Sequence, residues 1–530
     1  MKLPLAFSFS LFAATVIARD VAQSPIDLHS TEDQTRQDGR KRIAIVGGGI
    51  AAASLAYSLY ADYGYLQPMD LTIYEVAARV GGRVNSTLVD NLAYTYGGFV
   101  DTGASTFSAD DWCLQTAIDD AGMRREVVEG VPSYQQPTAG VWDGQTFVLR
   151  RDRDLKSRTQ LEYARDILKY GLSARKLQKF IRDKLPLFHS LYSNNQDPNP
   201  NLPDAIRRLG LEEESRRPAD EYLMGNGIPP EIIHNIIQPT VRALFAHNLS
   251  DLNAVSALIA MNPTATYRLE SEPRGNLELV SRLIRLSEAR TLLNTHVSMI
   301  SRSSNGKYTM VVSVTDPLAT LGTKENDEYD AVVIATHLQG AGIEFDFPAP
   351  LLPKSLPDFV ERHVTHFSTR QEIRLAPSFF NLTIANEIPD LIFTTSGSRI
   401  SNETDIFTVE HYDTSDGFSG DMIEQINIYK IISSGPIPDS MILQMLGNSP
   451  DSSLQSSGVK WIDRQVWPLA SPKHTRGPQL DNVELANGVF YTGLSDELLS
   501  SMEMSCRMGR RVAHMVYRKL RPPMGFAGHL

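Results

Sequence analysis

Apolar positions change their spacing several times along this chain, and each change predicts a different kind of element. Arg42–Val46 is a short apolar run bounded by glycine, which is typical of a buried parallel strand, and Leu71–Tyr74 is a second such run. From residue 155 to 260 the apolar residues recur at helical spacing instead, most clearly in Leu161–Leu172 and Lys176–Tyr192. The pattern therefore predicts an α/β part that is interrupted by a helical part.

Further elements follow from the same patterns. Shorter helical patterns occupy Asp110–Ala121, Pro203–Leu209, Pro218–Met224, Pro229–Ala246 and Leu277–Glu288. Val141–Leu149 is predicted to be a hairpin, because Asp143-Gly144 is a strong two-residue turn signal. Runs rich in β-branched residues predict strands at Thr291–Ile300, Tyr308–Val314, Tyr329–Ala335, His366–Arg374, Leu391–Thr394, Thr408–His411 and Ile426–Ile431.

A glycine-rich turn follows the first predicted strand. Gly47, Gly49 and Ala52 fit the pattern G-x-G-x-x-G/A, and a helix is predicted for Ile50–Tyr60. The first glycine permits a tight turn, the second lets a diphosphate approach the backbone, and the small third residue lets the helix lie close to the strand. Glu75 ends the second strand, where an acid can accept both ribose hydroxyls. This order of elements predicts a dinucleotide site.

The residues after Glu75 indicate which dinucleotide is bound. Arg79, Gly81, Gly82 and Arg83 are followed by the segment Asp101–Ser105. This arrangement resembles that of the amine-oxidase-like FAD superfamily, in which the double glycine lies against the diphosphate and arginine helps to neutralise it. We therefore expect FAD, with both arginines at its diphosphate.

The C-terminal part supplies a second helix terminus. A predicted strand ends at Gly493, and a helix is predicted from about Ser501 to Leu520. Aimed at the pyrimidine edge of a flavin, this helix terminus with Gly493, Met502 and Glu503 would favour the negative charge that gathers at N1/O2 on reduction. Glu503 is equally compatible with a flavin-proximal acid and with a helix cap. By the superfamily resemblance, the strand that carries Val297 is expected to contact adenine.

More specific motifs resemble one family. Ser501–Ser505 reads S-M-E-M-S, and Lys169–Ser173, Pro239–Arg242 and Gly275-Asn276 match in the middle of the chain. Together these segments resemble the prenylcysteine oxidase (prenylcysteine lyase) family over roughly 42–520. The segment Thr106–Asp111 departs from the apolar stretch with asparagine that is usual in that family, which leaves the exact substrate open.

The resemblance implies a fold class and a division of the chain. The expected fold is α/β, with a Rossmann-like FAD-binding domain and an interleaved substrate domain that combines helices with an antiparallel sheet. Its predicted parts are a signal peptide (1–18), a linker (19–40), three FAD-binding segments (41–110, 273–345 and 481–520), a mostly helical substrate region (111–272) and a substrate-domain sheet (346–480), with 111–520 as the lyase-like region.

The resemblance also implies an activity. The family oxidises the thioether of farnesyl- or geranylgeranyl-cysteine with FAD and dioxygen, giving a prenyl aldehyde, free cysteine and hydrogen peroxide. No residue is assigned as a catalytic acid or base, and Arg242 either meets the substrate carboxylate or pairs within the helical region. The alternatives are an FAD oxidoreductase for another apolar metabolite and a non-catalytic flavin-binding lipid carrier.

Composition and the first residues of the chain indicate the cellular compartment. The net charge of −11 argues against a nucleic-acid surface. Residues 1–18 carry one lysine, an apolar run and a small-residue cleavage site, and so predict a signal peptide, with a membrane anchor as the less favoured alternative. No later run is long enough to span a membrane, although a lipid substrate could be reached at a membrane surface. We therefore expect the secretory pathway, either a lysosomal or vacuolar lumen or secretion.

Three candidate glycosylation sites agree with that address, at Asn248, Asn381 and Asn402, whereas a fourth sequon at Asn85 lies too close to the expected cofactor. Cys113 and Cys506 are equally compatible with one disulfide and with two buried thiols. His363 and His366 lack cysteine or carboxylate neighbours at ligand spacing, so we expect them to be polar residues before a strand and not metal ligands. The sequence leaves the oligomeric state open.

Overall fold

The structure is a computed structural model of the full chain. It describes residues 40–89, 99–108, 110–127, 138–151, 175–187, 202–261, 266–269, 275–314, 327–347, 351–352, 358–385, 388–395, 404–419, 422–474 and 482–521. The predicted signal peptide, most of the linker, the helix predicted at 161–172 and the candidate site Asn402 lie outside these residues.

The strands of the described residues are β1 (Lys41–Val46), β2 (Met69–Tyr74), β3 (Ser86–Leu88), β4 (Phe99–Asp101), β5 (Phe107–Ser108), β6 (Arg125–Val127), β7 (Ala139–Trp142), β8 (Phe147–Arg151), β9 (Thr266–Leu269), β10 (Arg290–Leu292), β11 (Thr295–Arg302), β12 (Tyr308–Val314), β13 (Ala331–Ile334), β14 (Glu344–Asp346), β15 (Phe359–Arg370), β16 (Leu391–Thr394), β17 (Ile406–Ser419), β18 (Met422–Ser433), β19 (Val459–Pro472), β20 (Glu484–Ala486) and β21 (Val489–Tyr491).

The helices are α1 (Ile50–Ser58), α2 (Trp112–Asp120), α3 (175–187), α4 (Leu202–Arg208), α5 (Glu212–Arg216), α6 (Ala219–Gly225), α7 (Pro230–Ile232), α8 (Gln238–Phe245), α9 (Ala254–Ala260), α10 (Gly275–Leu286), α11 (Asp439–Met445) and α12 (Met502–Leu520). A π-helical turn extends α1 through Leu59–Tyr63, and another, Ile233–Ile237, joins α7 to α8. Of the helices in the described residues, none is long and apolar enough to cross a bilayer.

The first sheet carries the predicted nucleotide motif. Its strand order is β10-β2-β1-β13-β21-β20, and every neighbouring pair is parallel except β20 with β21. The central strand β1 is buried along most of its length, which explains its continuous apolar run. Helix α1 packs against α12 and α10, so the C-terminal helix covers the same sheet as the first helix. The predicted Rossmann-like fold is confirmed.

A run predicted as one strand is divided between two sheets. The run predicted as a single strand at Thr291–Ile300 forms two strands, β10 in the first sheet and β11 in a separate sheet with β12 and β14. Asn294 between them has a φ of 52°, in the left-handed region where asparagine is tolerated. This residue turns the chain from one sheet to the other inside an unbroken β-branched pattern.

The second large sheet has the order β19-β15-β18-β17-β16-β7-β8. Its pairs are antiparallel apart from β16 with β7, and the hairpin predicted around Gly144 forms β7 and β8. The strand predicted at His366–Arg374 begins seven residues earlier, at Phe359, so His363 and His366 lie within β15 and not before a strand. A hydrophobic cluster that includes Phe367, Tyr429 and Ile431 fills one face of this sheet.

The helical region lies between β8 and β9 in the chain. The helices predicted at 203–209, 218–224 and 229–246 are confirmed as α4, α6 and the α7–α8 continuation, and α3 is the described part of the helix predicted at 176–192. The apolar positions of α6, α7 and α8 pack into a cluster that includes Leu223, Ile237 and Val241. Ile206 of α4 belongs instead to a cluster with Leu498 and Met504 of the C-terminal segment. The helical periodicity therefore reflects a core.

Candidate functional site

The turn between β1 and α1 has one closed and one open side. Gly47 has a φ of 106°, and a Cβ there would lie 2.7 Å from the carbonyl oxygen of Ala335. Gly49 precedes α1 and pairs with Gly81 in a single β-bridge, and a Cβ at Gly49 would meet only the Gly81 oxygen, at 3.9 Å. Only glycine fits at the first position, whereas the second faces free space beside a helix N-terminus.

The double glycine faces this open side. Gly82 has a φ of 56°, and a Cβ there would lie 3.4 Å from the Cα atom of Gly49. At Gly81, with a φ of 115°, a Cβ would overlap the oxygen of Val84. The Gly49 and Gly82 backbones therefore lie close together at the N-terminus of α1, beside open space that a side chain on Gly49 would enter. This cradle fits the diphosphate of FAD.

The Arg79 side chain donates hydrogen bonds to backbone oxygens of this turn. Its Nη1 donates to the oxygens of Val80 and Val84, and its Nη2 donates to the oxygen of Gly82. Burial lowers the pKa of the Arg79 guanidinium, although Glu75 opposes this effect. Arg79 therefore fixes the shape of the glycine turn, and its predicted contact with the diphosphate stays a prediction.

Glu75 is buried at the end of β2. One oxygen accepts from the backbone N–H of Gly48 at 2.6 Å, and the other accepts from that of Ala77 at 2.8 Å. Burial raises the pKa of this carboxyl group, and the two backbone hydrogen bonds act in the opposite direction. The acid thus ties the glycine turn to the end of β2, and its predicted contact with the ribose stays a prediction. Val297 is a buried residue of β11. The predicted contact of its strand with adenine also stays a prediction.

Arg83 reaches across to the C-terminal segment. Its Nη2 donates to both carboxylate oxygens of Asp496, at 3.0 and 2.9 Å, and its Nη1 donates to Ser500 Oγ at 2.6 Å. Asp496 lies in the turn that starts at Gly493, and α12 begins at Met502. The structure therefore brings together the predicted diphosphate turn and the predicted flavin segment.

Glu503 caps a neighbouring helix. Its two carboxylate oxygens accept from the backbone N–H groups of Cys113 and Leu114, at 3.0 and 2.9 Å, and it pairs with Arg507. These N–H groups belong to the first turn of α2, where a carboxylate is favoured. Of the two alternatives left open by the sequence, these contacts match the helix cap, although Glu503 caps α2 and not its own helix α12. Ser501 caps α12 by accepting from Met504 N.

The two cysteines are bonded to each other. Cys113 and Cys506 form a disulfide with a Cα–Cα distance of 6.0 Å, which fastens α2 to α12 across 393 residues of sequence. Of the two alternatives for these residues, the structure therefore has the disulfide. The segment Thr106–Asp111, which departs from the family pattern, ends two residues before Cys113. Its Asp111 carboxylate accepts from Ser108 N at 2.6 Å, and burial together with nearby Glu503 raises the pKa of Asp111 to about 7.

Arg242 is fully buried and well satisfied. It forms a two-pronged ion pair with Asp405, at 2.7 and 2.9 Å, and also donates to Thr394 Oγ1, Asn248 Oδ1 and the oxygen of Ile406. These contacts connect α8 to β16 and β17. They favour the structural alternative for Arg242 over a contact with the substrate.

A buried polar pair of the second sheet was not predicted from the sequence, which considered His366 only as a metal ligand and did not consider Lys430. His366 on β15 and Lys430 on β18 are direct cross-strand neighbours, both buried, and Lys430 Nζ donates to Ser105 Oγ at 3.3 Å. Burial and Lys430 hold the pKa of His366 well below its usual value.

Asp496 was not predicted from the sequence either. The signal that the sequence offered was an acid within the C-terminal flavin segment. In the described part of the chain, no group of His, Cys, Asp or Glu is arranged to hold a metal.

Similarity to known proteins agrees with this geometry. A family model described as prenylcysteine lyase matches residues 156–524, and one described as an NAD(P)-binding Rossmann-like domain matches residues 45–116. The chain is 21% identical over 498 residues to prenylcysteine oxidase 1 from Bos taurus, covering 90% of this chain and 89% of the relative.

Two solved structures share the fold. A triple mutant of putrescine oxidase aligns with a TM-score of 0.57 and 14% identity, covering 90% of this chain and 98% of that one. Cyclohexylamine oxidase from Brevibacterium oxydans IH-35A aligns with a TM-score of 0.51 and 14% identity, covering 91% and 99%.

Proposed function

The chain belongs to the prenylcysteine lyase family, and from this membership we propose that it oxidises and cleaves the thioether of a prenylated cysteine. It is an FAD-dependent oxidoreductase, and we propose that the FAD diphosphate lies against the backbones of Gly49 and Gly82 at the N-terminus of α1. The observation that carries the substrate proposal is the family match over 156–524, which includes the helical region and the second sheet as well as the last cofactor segment.

The chemistry of such a substrate explains why an oxidase is needed. A thioether resists hydrolysis, but the allylic carbon bonded to sulfur can lose a hydride, because sulfur and the double bond stabilise the cation that remains. Water then adds to this carbon, and the hemithioacetal collapses to a prenyl aldehyde and the thiol of free cysteine. FAD supplies a two-electron acceptor that dioxygen regenerates with release of hydrogen peroxide.

The chain's own contribution is to position the cofactor. The facing glycines and the N-terminus of α1 hold an anionic diphosphate, and Glu75 fixes the turn that contains them. The N-terminus of α12 adds a second region of positive potential, which favours negative charge nearby. No general base is assigned.

The test is direct. Purified protein should show flavin absorbance and release peroxide with farnesylcysteine, together with one farnesyl aldehyde and one cysteine per peroxide. A Gly49→Asp variant is the control, because a carboxylate placed in the cradle would repel the diphosphate. If the yellow protein turns over another thioether but not farnesylcysteine, that thioether is the substrate. If no apolar donor reduces its flavin, the result favours a lipid carrier.

We also propose that the protein enters the secretory pathway and ends in a lysosomal or vacuolar lumen or outside the cell. The buried disulfide between Cys113 and Cys506 supports an oxidising compartment. Among the candidate glycosylation sites, Asn381 is exposed, whereas Asn248 Oδ1 accepts from the buried Arg242. Protein from a eukaryotic secretory host should therefore lose mass on treatment with a glycosidase, and Asn381→Gln should remove part of that loss.

A further inference from the structure

One face of the second sheet carries buried polar atoms that have no hydrogen-bond partner among the described residues. These atoms are both ring nitrogens of His366, Ser368 Oγ and Thr408 Oγ1, and all three residues are 0% exposed. His366 and Ser368 alternate along β15 and therefore share a face. Lys430 and Ile432 alternate in the same way on β18, and as the cross-strand neighbours of His366 and Thr408 they place Thr408 on that face too. Since native proteins pair nearly all buried polar atoms, a ligand or water must supply the partners here.

His366 and Lys430 belong to a row of polar residues across this face. Asp463, His366, Lys430 and Glu410 are direct cross-strand neighbours on β19, β15, β18 and β17. Lys430 is 1% exposed, and burial together with Lys430 keeps the pKa of His366 well below its usual value. A neutral imidazole has one N–H donor and one acceptor nitrogen. The centre of the row therefore offers a buried positive charge beside a neutral donor.

The same face lies against the cofactor-binding part of the chain. Lys430 Nζ donates to Ser105 Oγ at 3.3 Å, and Trp467 Nε1, on β19, donates to the backbone oxygen of Thr102 at 2.8 Å. The segment that contains both acceptors also contacts the residue after the double glycine, because Ala104 N donates to the oxygen of Arg83. The unpaired atoms thus lie where the second sheet meets the FAD-binding segment.

A carboxylate is the ligand group that suits this pair. Its oxygens only accept hydrogen bonds, so one can face the Lys430 ammonium while the other accepts from the His366 N–H, with the Ser368 hydroxyl as a further donor. An amino acid also carries an ammonium group, which suits the acids at the two ends of the row. Arg242, to which the sequence offered a substrate carboxylate, is engaged with Asp405 instead.

We infer that His366 and Lys430 bind the carboxylate at the amino-acid end of the substrate, on the face of the second sheet that lies against the FAD-binding segment. The inference rests on the proposed function, because a prenylated cysteine has such a carboxylate. It assigns the polar end of the substrate to two strands of the sheet, β15 and β18, and not to the helical region.

Two ligands that differ only in the carboxylate test the inference in the natural holoenzyme. S-dodecylcysteine keeps the amino-acid end but lacks the allylic double bond that favours hydride loss, and S-dodecylcysteamine lacks the carboxylate as well. Dissociation constants are measured by titration calorimetry under nitrogen. We expect S-dodecylcysteine to bind about 10- to 150-fold more tightly, as charge-assisted hydrogen bonds imply.

The outcomes separate this inference from the proposed function. If the natural protein binds the two ligands equally well but releases peroxide with farnesylcysteine, the inference is overturned and the proposed function stands. If neither ligand binds and farnesylcysteine gives no peroxide, the proposed function fails and the inference fails with it. This comparison needs no variant, so it holds even where substitutions in the sheet fold poorly.

Lys430→Met and His366→Leu test the two residues themselves. Each should weaken binding of S-dodecylcysteine by about 10-fold or more and leave S-dodecylcysteamine within about twofold, so that the preference for the carboxylate shrinks. His366→Leu should also raise the unfolding temperature, because it removes a buried polar group without a protein partner. A lower unfolding temperature with an unchanged ligand preference would show that His366 serves the fold alone, and would overturn the inference.

Ser58→Ala is the matched control. Ser58 Oγ, near the C-terminal end of α1, is another buried atom without a partner among the described residues. Its removal should alter the unfolding temperature only, and change neither dissociation constant. An equal loss of S-dodecylcysteine affinity in Ser58→Ala and His366→Leu would mean that the effect is not specific to the sheet, and would overturn the inference.

Discussion

A methyl group placed at Gly49 should separate folding from FAD binding. Gly49 has a φ of −80° and a ψ of −175°, which any residue can adopt, and a Cβ there would have one neighbour, the Gly81 oxygen at 3.9 Å. Alanine gains about 0.4–1 kcal/mol by restricting the unfolded chain. It loses a similar amount, about 0.5–1 kcal/mol, because it is a poorer residue than glycine before a helix. We therefore expect the stability of the Gly49→Ala apoprotein to change by less than about 1 kcal/mol.

The same methyl group should interfere with FAD. It would project into the open space beside the N-terminus of α1, where we propose that the diphosphate approaches the backbone. An extra methyl group in a close-packed contact costs about 1–3 kcal/mol. Since 1.4 kcal/mol is a factor of ten in affinity, we expect FAD to bind about 5- to 150-fold more weakly.

Gly47→Ala is the matched control with the opposite expectation. Its φ of 106° and the Ala335 oxygen at 2.7 Å from a new Cβ should destabilise the apoprotein by about 1–3 kcal/mol or more. Thermal unfolding of both apoproteins and flavin fluorescence titration of both variants check the pair. If Gly49→Ala binds FAD as tightly as the natural protein, or unfolds as early as Gly47→Ala, the assignment of the open side of the turn is wrong.

Three further predictions concern the framework of the site. Gly509→Ala should lower the unfolding temperature, because its methyl group would overlap a backbone oxygen of α1, although alanine is the better helix former by about 1 kcal/mol. Replacing Cys113 and Cys506 by alanine should cost about 2–5 kcal/mol in denaturant unfolding, since the bond closes a long loop, and unchanged stability would mean that the bond is absent in solution. Arg242→Met should cost about 3–5 kcal/mol by leaving Asp405 unpaired, whereas a raised KM at unchanged stability would restore Arg242 as a substrate contact.

The local motif of the nucleotide turn could be predicted from the sequence because its constraints are local. Gly47 and Gly81 both have positive φ values, and each would bring a side chain into a backbone oxygen. The positive φ alone favours glycine at these positions, whatever the rest of the chain does. The strand before the turn, the helix after it and the acid at position 75 follow at short and fixed spacing, and the structure confirms that local order.

The roles of the charged residues could not be predicted in this way. Arg83, Arg242 and Glu503 have partners 413, 163 and 389–390 residues away in the chain. A sequence shows that an arginine suits a diphosphate or a carboxylate, but a nearby aspartate satisfies the same donors. The choice depends on tertiary contacts that no spacing encodes. The strand limits failed for a related reason, because the β-branched pattern around Asn294 continues through a left-handed turn.

These long-range contacts place a constraint on how the FAD site forms. Asp496 contacts Arg83, Glu503 contacts the start of α2, and Cys506 is bonded to Cys113. The C-terminal segment that includes α12 therefore packs against the part of the chain that carries the double glycine. Ser54 on α1 also donates to the backbone oxygen of Cys506. The ends of a long chain segment must meet before these contacts can form, and the entropy of that closure has to be met first. We therefore expect tight FAD binding to require a docked α12. We also expect the cofactor to stabilise the docked state, since a ligand that binds only the folded form favours it.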